Sequence, residues 1–413
     1  MTSRRRIKYQ IMKERKLNME LTPITEIESR IACFQRKLVE QETDGAIILL
    51  QSDLFYFCGT VQNSYLFIPA VGQPVLMVKK SLTRGQQESP LKNLVSIKNP
   101  KQIPEILAAH GYTGFRKIGL ELDVLPFNLY KSYKSIFPDA ELIDISPAIK
   151  ESRVVKSAYE IELMRGALTV IDQAFQAVPA FLREGMTELE LAALFEGEMR
   201  KRGFAGPSKM RAFSQDFFLG NVCSGGSGFF PNYFDGPVGG QGASAAQPQG
   251  AGWKKINRNE VIYMDYTTIV KGYTGDQTRI FCIGELSHKL VKAYEDALFI
   301  EAEIVKSIKP GTPAEEPYLL AIKLAAELGY QDNFMGYKQD QVKFIGHGIG
   351  LELDEWPILA KGMKTPILPG MTFALEPKFV FPEGAIGTEN SFVMTENGPD
   401  YLSITPQVIT YVK

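Results

Sequence analysis

Two acidic residues stand in a strand-rich stretch of the chain, VIYMDYTTIVKGYTGDQTRI, and they constrain the fold more than any other feature. The runs on either side of Lys271-Gly272 are rich in β-branched and aromatic residues, which predicts a β-hairpin that turns there. Asp265 and Asp276 lie on opposite predicted strands. A carboxylate buried among apolar residues is costly unless a cation or hydrogen-bond donors compensate it. The hairpin therefore predicts a shared metal ion, unless its acidic face is exposed to solvent.

Three further residues with metal-binding side chains follow in strand-like runs. His347 lies in FIGHGIGLELDEWP, Glu376 in FALEPKFVF and Glu389 in AIGTENSFVM. With the two aspartates, they give the order Asp, Asp, His, Glu, Glu. In this order and context the chain resembles the creatinase, aminopeptidase P and prolidase family of "pita-bread" metallopeptidases.

Short motifs around these residues carry the resemblance further. They are D-x-T-R at Asp276–Arg279, G-H-G-x-G at Gly346–Gly350, Glu-Pro at Glu376-Pro377, and the final Glu389. A looser resemblance extends over residues 25–413. Spacing together with flanking context is far more specific than a lone motif.

The resemblance implies an α/β (α+β) fold with two domains. We expect a creatinase-like α/β domain at residues 19–150 and a pita-bread metal-binding catalytic domain at residues 151–413. Residues 1–18 form a basic N-terminal extension, which we expect to be flexible. Within the first domain, the apolar run SDLFYFCGT at residues 52–60 is predicted to be a strand. Within the second, Thr187 and Glu190 predict the capping box of a helix.

The resemblance also implies two divalent metal ions, with the ligands Asp265, Asp276, His347, Glu376 and Glu389. It assigns Asp265 to one ion and His347 to the other, and the remaining three to shared roles. Oxygen ligands with one imidazole suit manganese, iron, cobalt or zinc, of which we favour manganese. Water between two such ions becomes a nucleophile near neutral pH. We expect Glu376 to pass the proton to the leaving nitrogen and Thr278 to orient Asp276.

The chain departs from the peptidase pattern at two single positions and in one loop. Relatives carry a second histidine seven residues after the metal-binding one, where this chain has Asp354, and an arginine two residues before the final glutamate, where it has Gly387. In the loop before the hairpin, relatives have a substrate-pocket histidine, and this chain instead has Tyr233, Phe234 and Asp235, which we assign to the pocket.

Asp354 has two interpretations. In the first it faces the substrate and binds a cationic group, acts as a general base, or stays protonated beside other acids. In the second it turns outward to solvent, where Glu352 and Glu355 flank it. We expect Asp354 to contact the substrate and to weaken cleavage of ordinary peptides, because an ionised aspartate only accepts hydrogen bonds.

These features predict a dinuclear metallo-hydrolase that resembles an Xaa-Pro aminopeptidase or dipeptidase. The altered pocket leaves open another C–N hydrolase or a lyase of the same fold, acting on a small molecule. A non-catalytic binding module is disfavoured, because it has no reason to keep five buried ligands. The expected partners are a small peptide or small-molecule substrate and a second copy of the chain in a homodimer.

Composition excludes several other classes. The chain has 46 basic and 47 acidic residues, so nothing favours nucleic acid or an anionic membrane as a partner. Apolar runs fall short of the ~20 residues that cross a bilayer. Its four cysteines lack Cys-x-x-Cys spacing, which disfavours a zinc ribbon or a disulfide scaffold and fits a reducing cytoplasm.

Overall fold

A computed structural model describes residues 20–211, 213 and 219–413. The chain divides into two compact units, residues 1–153 and 154–413. The predicted extension at residues 1–18 lies outside the described residues. No helix in the described ranges is long and apolar enough to cross a membrane.

The first unit is built on one mixed β-sheet. Its strands are β1 (Gly45–Ile48), β2 (Ser64–Pro69), β3 (Val75–Val78), β4 (Leu94–Ser96), β5 (Lys117–Leu120) and β6 (Glu141–Asp144), in the sheet order β4-β3-β2-β1-β5-β6. Its helices are α1 (Ile24–Glu40), α2 (Gln51–Cys58), α3 (Leu82–Glu88), α4 (Ile103–Ala109), α5 (Phe127–Ile136) and α6 (Ser146–Arg153). One face of the sheet contributes Ile47, Phe67, Met77, Ile118 and Leu142 to a common core.

The strand predicted at residues 52–60 is wrong, because this run forms helix α2. Leu54, Tyr56, Phe57 and Cys58 are all buried. A helix that is covered on most sides shows no period of 3.6 residues, so a short apolar run does not separate helix from strand. Gly59, with a left-handed φ of 73°, ends the helix and donates its N–H to the carbonyl of Phe55.

The second unit combines a larger number of strands with four long helices. Its strands are β7 (Gly220–Ser224), β8 (Ile262–Val270), β9 (Tyr273–Ile283), β10 (Phe344–Gly348), β11 (Glu355–Ala360), β12 (Thr372–Leu375), β13 (Lys378–Phe381), β14 (Gly384–Gly387), β15 (Asn390–Thr395), β16 (Gly398–Tyr401) and β17 (Thr410–Val412). Its helices are α7 (Ala158–Ala177), α8 (Glu188–Lys201), α9 (His288–Ser307) and α10 (Glu316–Glu327).

Three sheets organise these strands. Their orders are β11-β10-β12-β15-β16, β17-β9-β8-β7 and β13-β14. Ile300 and Ile304 of α9 share a core with Phe373 of β12, Phe379 of β13 and Phe392 of β15. The helices therefore cover the outer apolar faces of the strands, which leaves the opposite faces to enclose polar residues.

Local sequence signals explain how the elements begin and turn. Thr187 and Glu190 form the predicted capping box of α8, since each side chain binds the backbone N–H of the other residue. Lys271 and Gly272 have φ values of 50° and 90° and connect β8 to β9. Positive φ at both central residues is the mark of the tight turn that matches the twist of a hairpin. The predicted hairpin is confirmed.

Candidate metal centre

The hairpin places its two aspartates on one face. Asp265 lies opposite Thr278, and Asp276 lies opposite Thr267, in the antiparallel register of β8 and β9. Asp276 is two residues from Thr278, so Asp276 and Asp265 are diagonal neighbours across the strand pair. Diagonal neighbours share a face, because side chains alternate with a period of two.

The two glutamates lie where the chain leaves one sheet for another. Glu376 follows β12 and Glu389 precedes β15, and these strands pair with Leu375 opposite Asn390. His347 on β10 pairs with Ala374 of β12. A bridge between Thr278 and Glu389 joins this sheet to the hairpin. The interruptions in the strands thus bring residues from distant parts of the sequence to one point.

Three of the five predicted ligands form a compact group. One ligand atom from each of Asp276, His347 and Glu389 lies within 4.8 Å of the others. Nε2 of His347 is 3.8 Å from Oδ2 of Asp276 and 3.9 Å from Oε1 of Glu376. Glu376 is only 4% exposed. These distances leave space for an ion between the side chains.

The charges of this group are incompletely compensated by the described residues. Oδ1 of Asp276 is buried and has no hydrogen-bond partner there. Burial, followed by repulsion from Glu389 and Asp265, raises the pKa of Asp276 well above its usual range. Burial likewise raises the pKa of Glu389 to about 8. A divalent cation would offset both effects, so Asp276, His347 and Glu389 fit one such ion.

Acceptors around His347 determine which ring nitrogen faces the group. Nδ1 lies 3.0 Å from the carbonyl oxygen of Leu353, 3.1 Å from that of Gly348, and 3.3 Å from Oδ1 of Asp354. Three acceptors beside Nδ1 favour the tautomer that carries its proton there, which leaves the lone pair of Nε2 for a metal. Burial lowers the pKa of His347, but attraction to Asp354, Glu376 and Glu389 outweighs it and raises the pKa overall.

Asp354 and Thr278 each contact one member of this group: Asp354 contacts His347, and Thr278 contacts Glu389. The carboxylate of Asp354 faces the imidazole and lines the same cavity as the five predicted ligands, with its side chain 39% exposed. The outward orientation considered above is not the one in the structure. Thr278 donates its hydroxyl to Oε2 of Glu389 at 3.0 Å, so its expected contact with Asp276 is wrong. The register explains this, because the bridge pairs Thr278 with Glu389 directly.

Two cavities meet at the site. The inner one, of about 50 Å³, is lined by all five predicted ligands and by Phe234, Asp235, Gln249 and Asp354 among others. The outer one, of about 680 Å³, is lined by Tyr233, Phe234 and Asp235 among others. The loop assigned to the substrate pocket therefore runs between the metal group and a larger opening.

Two family models match the sequence. Metallopeptidase family M24 matches residues 162–396, and the Creatinase/Prolidase N-terminal domain matches residues 30–155. The first match covers more than half of the chain. The chain belongs to metallopeptidase family M24. The predicted family and α/β fold are thereby confirmed, and the protein is a metallo-hydrolase.

Relatives within this metallopeptidase family span nearly the full chain. An Xaa-Pro dipeptidase of Pyrococcus furiosus is 27% identical over 370 residues, which are 89% of this chain and 95% of the relative. The solved prolidase from Pyrococcus furiosus has a TM-score of 0.75 at 26% identity and covers 90% and 99% of the two chains. An Xaa-Pro dipeptidase from Bacillus anthracis, at 24% identity, has a TM-score of 0.80, with 94% and 100% covered, and supports the fold. The non-peptidase alternative is not favoured by these matches.

Sequence reasoning missed a lysine at the centre of the metallopeptidase site. Nζ of Lys378 lies 3.0 Å from Oδ2 of Asp265, 2.7 Å from Oε2 of Glu376 and 2.7 Å from Oε2 of Glu389. Burial lowers the pKa of this lysine, but attraction to the three carboxylates outweighs it and raises the pKa well above its usual range. The available signal was a lone cation in the apolar strand KFVF, directly after the Glu-Pro motif.

Gln249 was also missed. Both polar atoms of its carboxamide are buried and have no hydrogen-bond partner among the described residues, and the residue lines the inner cavity. A buried amide without a hydrogen-bond partner destabilises the protein. A ligand in the cavity would remove this cost by forming hydrogen bonds with the amide. Sequence alone gave no signal, because Gln249 lies in the loop GASAAQPQGAGW, which has no regular period.

Proposed function

We propose that this protein is a metal-dependent peptidase that hydrolyses short Xaa-Pro peptides. The observation that carries the proposal is the convergence of Asp276, His347 and Glu389 on one cavity in a chain of family M24. The similarity to an Xaa-Pro dipeptidase over 95% of that relative's length supports this substrate class.

The proposed cofactor is a divalent ion held by Asp276, His347 and Glu389, with manganese favoured and iron, cobalt or zinc also suited to these ligands. When bound, such an ion polarises the scissile carbonyl and makes water acidic enough to attack near neutral pH. The orphaned Oδ1 of Asp276 supports this assignment, because it is a buried acceptor that needs a cation or a donor.

Glu376 is the proposed proton carrier. Its Oε2 accepts from Lys378, while its Oε1 lies on the His347 side, 3.9 Å from Nε2. Oε1 is therefore the oxygen that takes a proton from the attacking water and delivers it to the leaving nitrogen. The hydrogen bond from Lys378 fixes the carboxylate while this transfer occurs.

Gln249 and the neighbouring loop are the proposed substrate contacts. The carboxamide of Gln249 is able both to donate to a peptide carbonyl and to accept from an N–H. Phe234 and Asp235 line both cavities, and Tyr233 lines the outer one. Asp354 acts on the substrate indirectly in this proposal, because it holds the imidazole of His347 in place.

A panel of peptides tests the proposal. Wild-type protein is stripped of metal, loaded with manganese, and assayed on Xaa-Pro dipeptides and tripeptides, matched Xaa-Ala peptides, and non-peptide amides. We expect metal-dependent hydrolysis of the Xaa–Pro bond, which releases proline from the dipeptides and the residue Xaa from the tripeptides. Turnover that is indifferent to metal, or that occurs only on the non-peptide amides, would refute the assignment.

Two further proposals concern the oligomeric state of the protein and its location in the cell. We propose a homodimer, on the resemblance given above, and light scattering at micromolar concentration tests it. We also propose a cytoplasmic location, which four free cysteines support. Fractionation of cells that express the tagged protein checks this location.

A further inference from the structure

The cluster around Lys378 consists of three carboxylates and one ammonium. An ammonium group has three N–H donors, and here each has its own carboxylate partner, on Asp265, Glu376 and Glu389. The lysine side chain is 1% exposed. Every donor of the ammonium is thus paired, and the lysine side chain itself is shielded from solvent.

The backbone opposite Lys378 leaves room for this arrangement. Lys378 on β13 pairs with Gly387 on β14. A Cβ at position 387 would clash with the carbonyl oxygen of Pro377 and lie 2.7 Å from Cα of Lys378 and 3.0 Å from its Cγ, so the close approach of the two strands requires glycine there.

From this geometry we infer that the ammonium of Lys378 takes the place of one of the two metal ions and that the protein binds a single divalent ion. The three oxygens within 3.0 Å of Nζ include that of Asp265, the ligand assigned to an ion of its own. A metal ion bound to those oxygens would lie about 2–2.2 Å from them, in the same space as Nζ. The ammonium and a second metal ion therefore exclude each other.

The remaining ligands explain why one ion is still bound. The ion-pair partners of Lys378 are Asp265, Glu376 and Glu389 and do not include Asp276, whose Oδ1 has no hydrogen-bond partner in the described part of the chain. Glu389 lies between the two positions, since it pairs with Lys378 and belongs to the compact group with Asp276 and His347. This inference rests on the metal-binding part of the proposed function and not on its substrate.

Counting bound ions tests the inference without reference to activity. Full-length wild type and Lys378→Gly are equilibrated with manganese, and the ions per chain are measured by native mass spectrometry. We expect one ion in wild type and two in Lys378→Gly, where the ammonium and its volume are both removed. Two ions in wild type would overturn the inference and leave the proposed function standing. No ion in wild type would overturn both.

Two more variants keep the result interpretable. Lys378→Met removes the charge but keeps most of the side-chain volume, and we expect a lower melting temperature of the metal-free protein, because three carboxylates lose their cation. An unchanged or higher melting temperature would contradict the inference, because the ammonium would then not neutralise the cluster.

Lys156→Met is the matched control. Lys156 is a second lysine with a 1% exposed side chain, paired with Glu355 at 2.9 Å away from the carboxylate cluster. We expect it to keep one ion. A second ion in this variant would show that the gain follows from loss of any buried lysine, and would overturn the inference.

Discussion

The two sides of the carboxylate cluster differ in how their charge is neutralised. On one side, Asp265 and Glu376 each pair with the ammonium of Lys378 at 3.0 Å or less. On the other side, Asp276 and His347 face each other at 3.8 Å, and Oδ1 of Asp276 has no partner among the described residues. The protein supplies its own cation to the first side and leaves the second to a metal ion.

This difference shows how a ligand set that the sequence predicts to hold two ions accommodates a different cation. A lysine brings one positive charge that is covalently attached and always present, whereas a divalent ion must be bound from solution. Holding the lysine ammonium in the cluster costs no translational entropy, because the side chain is already attached to the protein. The ammonium is stabilised there by its three carboxylate acceptors. The carboxylates beside Lys378 are therefore neutralised even in the absence of metal. The charge of Asp276 is neutralised only when a metal ion binds.

The largest expected effect comes from breaking the metal side at Asp276. Asp276→Asn removes the charge of a proposed ligand and keeps its shape, so we expect metal binding and peptidase activity to fall by more than about 100-fold, beyond the range typical of residues outside the ligand set. Thr278→Ala is the matched control, because its hydroxyl donates to Oε2 of Glu389 and is not itself a proposed metal ligand. Isothermal titration calorimetry with manganese compares the metal affinities of the two variants. A larger loss of affinity in Thr278→Ala than in Asp276→Asn would mean that the ligands are misassigned.

A smaller effect is expected at Asp354. Asp354→Ala removes one acceptor from Nδ1 of His347 and leaves the carbonyls of Leu353 and Gly348. We expect metal affinity to fall about 10–100-fold, as for other partners of metal-binding histidines.

The same variant separates positioning from substrate contact. Because Asp354 is proposed to act through His347, saturating manganese should restore kcat and KM for Xaa-Pro peptides. A KM that stays raised at saturating metal would instead favour direct contact between Asp354 and the substrate.

A variant of Gln249 tests the proposed substrate contact in the inner cavity, because Gln249 is not a proposed metal ligand. Gln249→Ala should raise KM for Xaa-Pro dipeptides about 2–10-fold, the equivalent of one lost hydrogen bond, with metal affinity unchanged. Gln241→Ala, at an exposed position in the same loop, is the control. Equal kinetics for the two variants would remove Gln249 from the substrate pocket.

The smallest effect concerns Glu301, a buried carboxylate that accepts hydrogen bonds from neutral side chains. Glu301 accepts from Asn390 at 2.9 Å and from Gln407 at 3.1 Å, and burial raises its pKa from 4.5 to about 7. Because the folded state holds the proton more tightly than the unfolded state, stability from this group is full below pH 4.5 and is lost as the pH rises through 7.

Glu301→Gln should abolish that loss. We expect wild type to lose roughly 1–3 kcal/mol of unfolding free energy relative to the variant between pH 4.5 and 8. Urea unfolding at a series of pH values measures the difference. A constant difference across the range would show that Glu301 does not titrate there.

The sequence predicted the parts of this molecule that follow from local pattern. The β8–β9 hairpin was predicted because Lys271-Gly272 divides two β-rich runs, and the α8 cap because Thr187 and Glu190 have the right spacing. Helix α2 was mispredicted, because burial of Leu54, Tyr56 and Phe57 hides its period. Local pattern reports on local geometry, and it fails where burial is uniform.

The site was predictable only in part for a related reason. Motif order pointed to the five acidic and imidazole residues, which the structure brings to one cavity. The partner of Thr278 depended on the register between β9 and the residue before β15, which no sequence period encodes. Lys378 appeared as a single lysine in an apolar strand, and its significance required knowing which carboxylates its ammonium reaches.

The position of bound metal tests the account most directly. Crystals of the full chain grown with manganese would be measured at a wavelength where manganese scatters anomalously. The account predicts one anomalous peak, beside Nε2 of His347 and Oδ1 of Asp276, with the ammonium of Lys378 among Asp265, Glu376 and Glu389. A second peak about 3.5–4 Å away beside Asp265, with Lys378 turned out of the cluster, would contradict it.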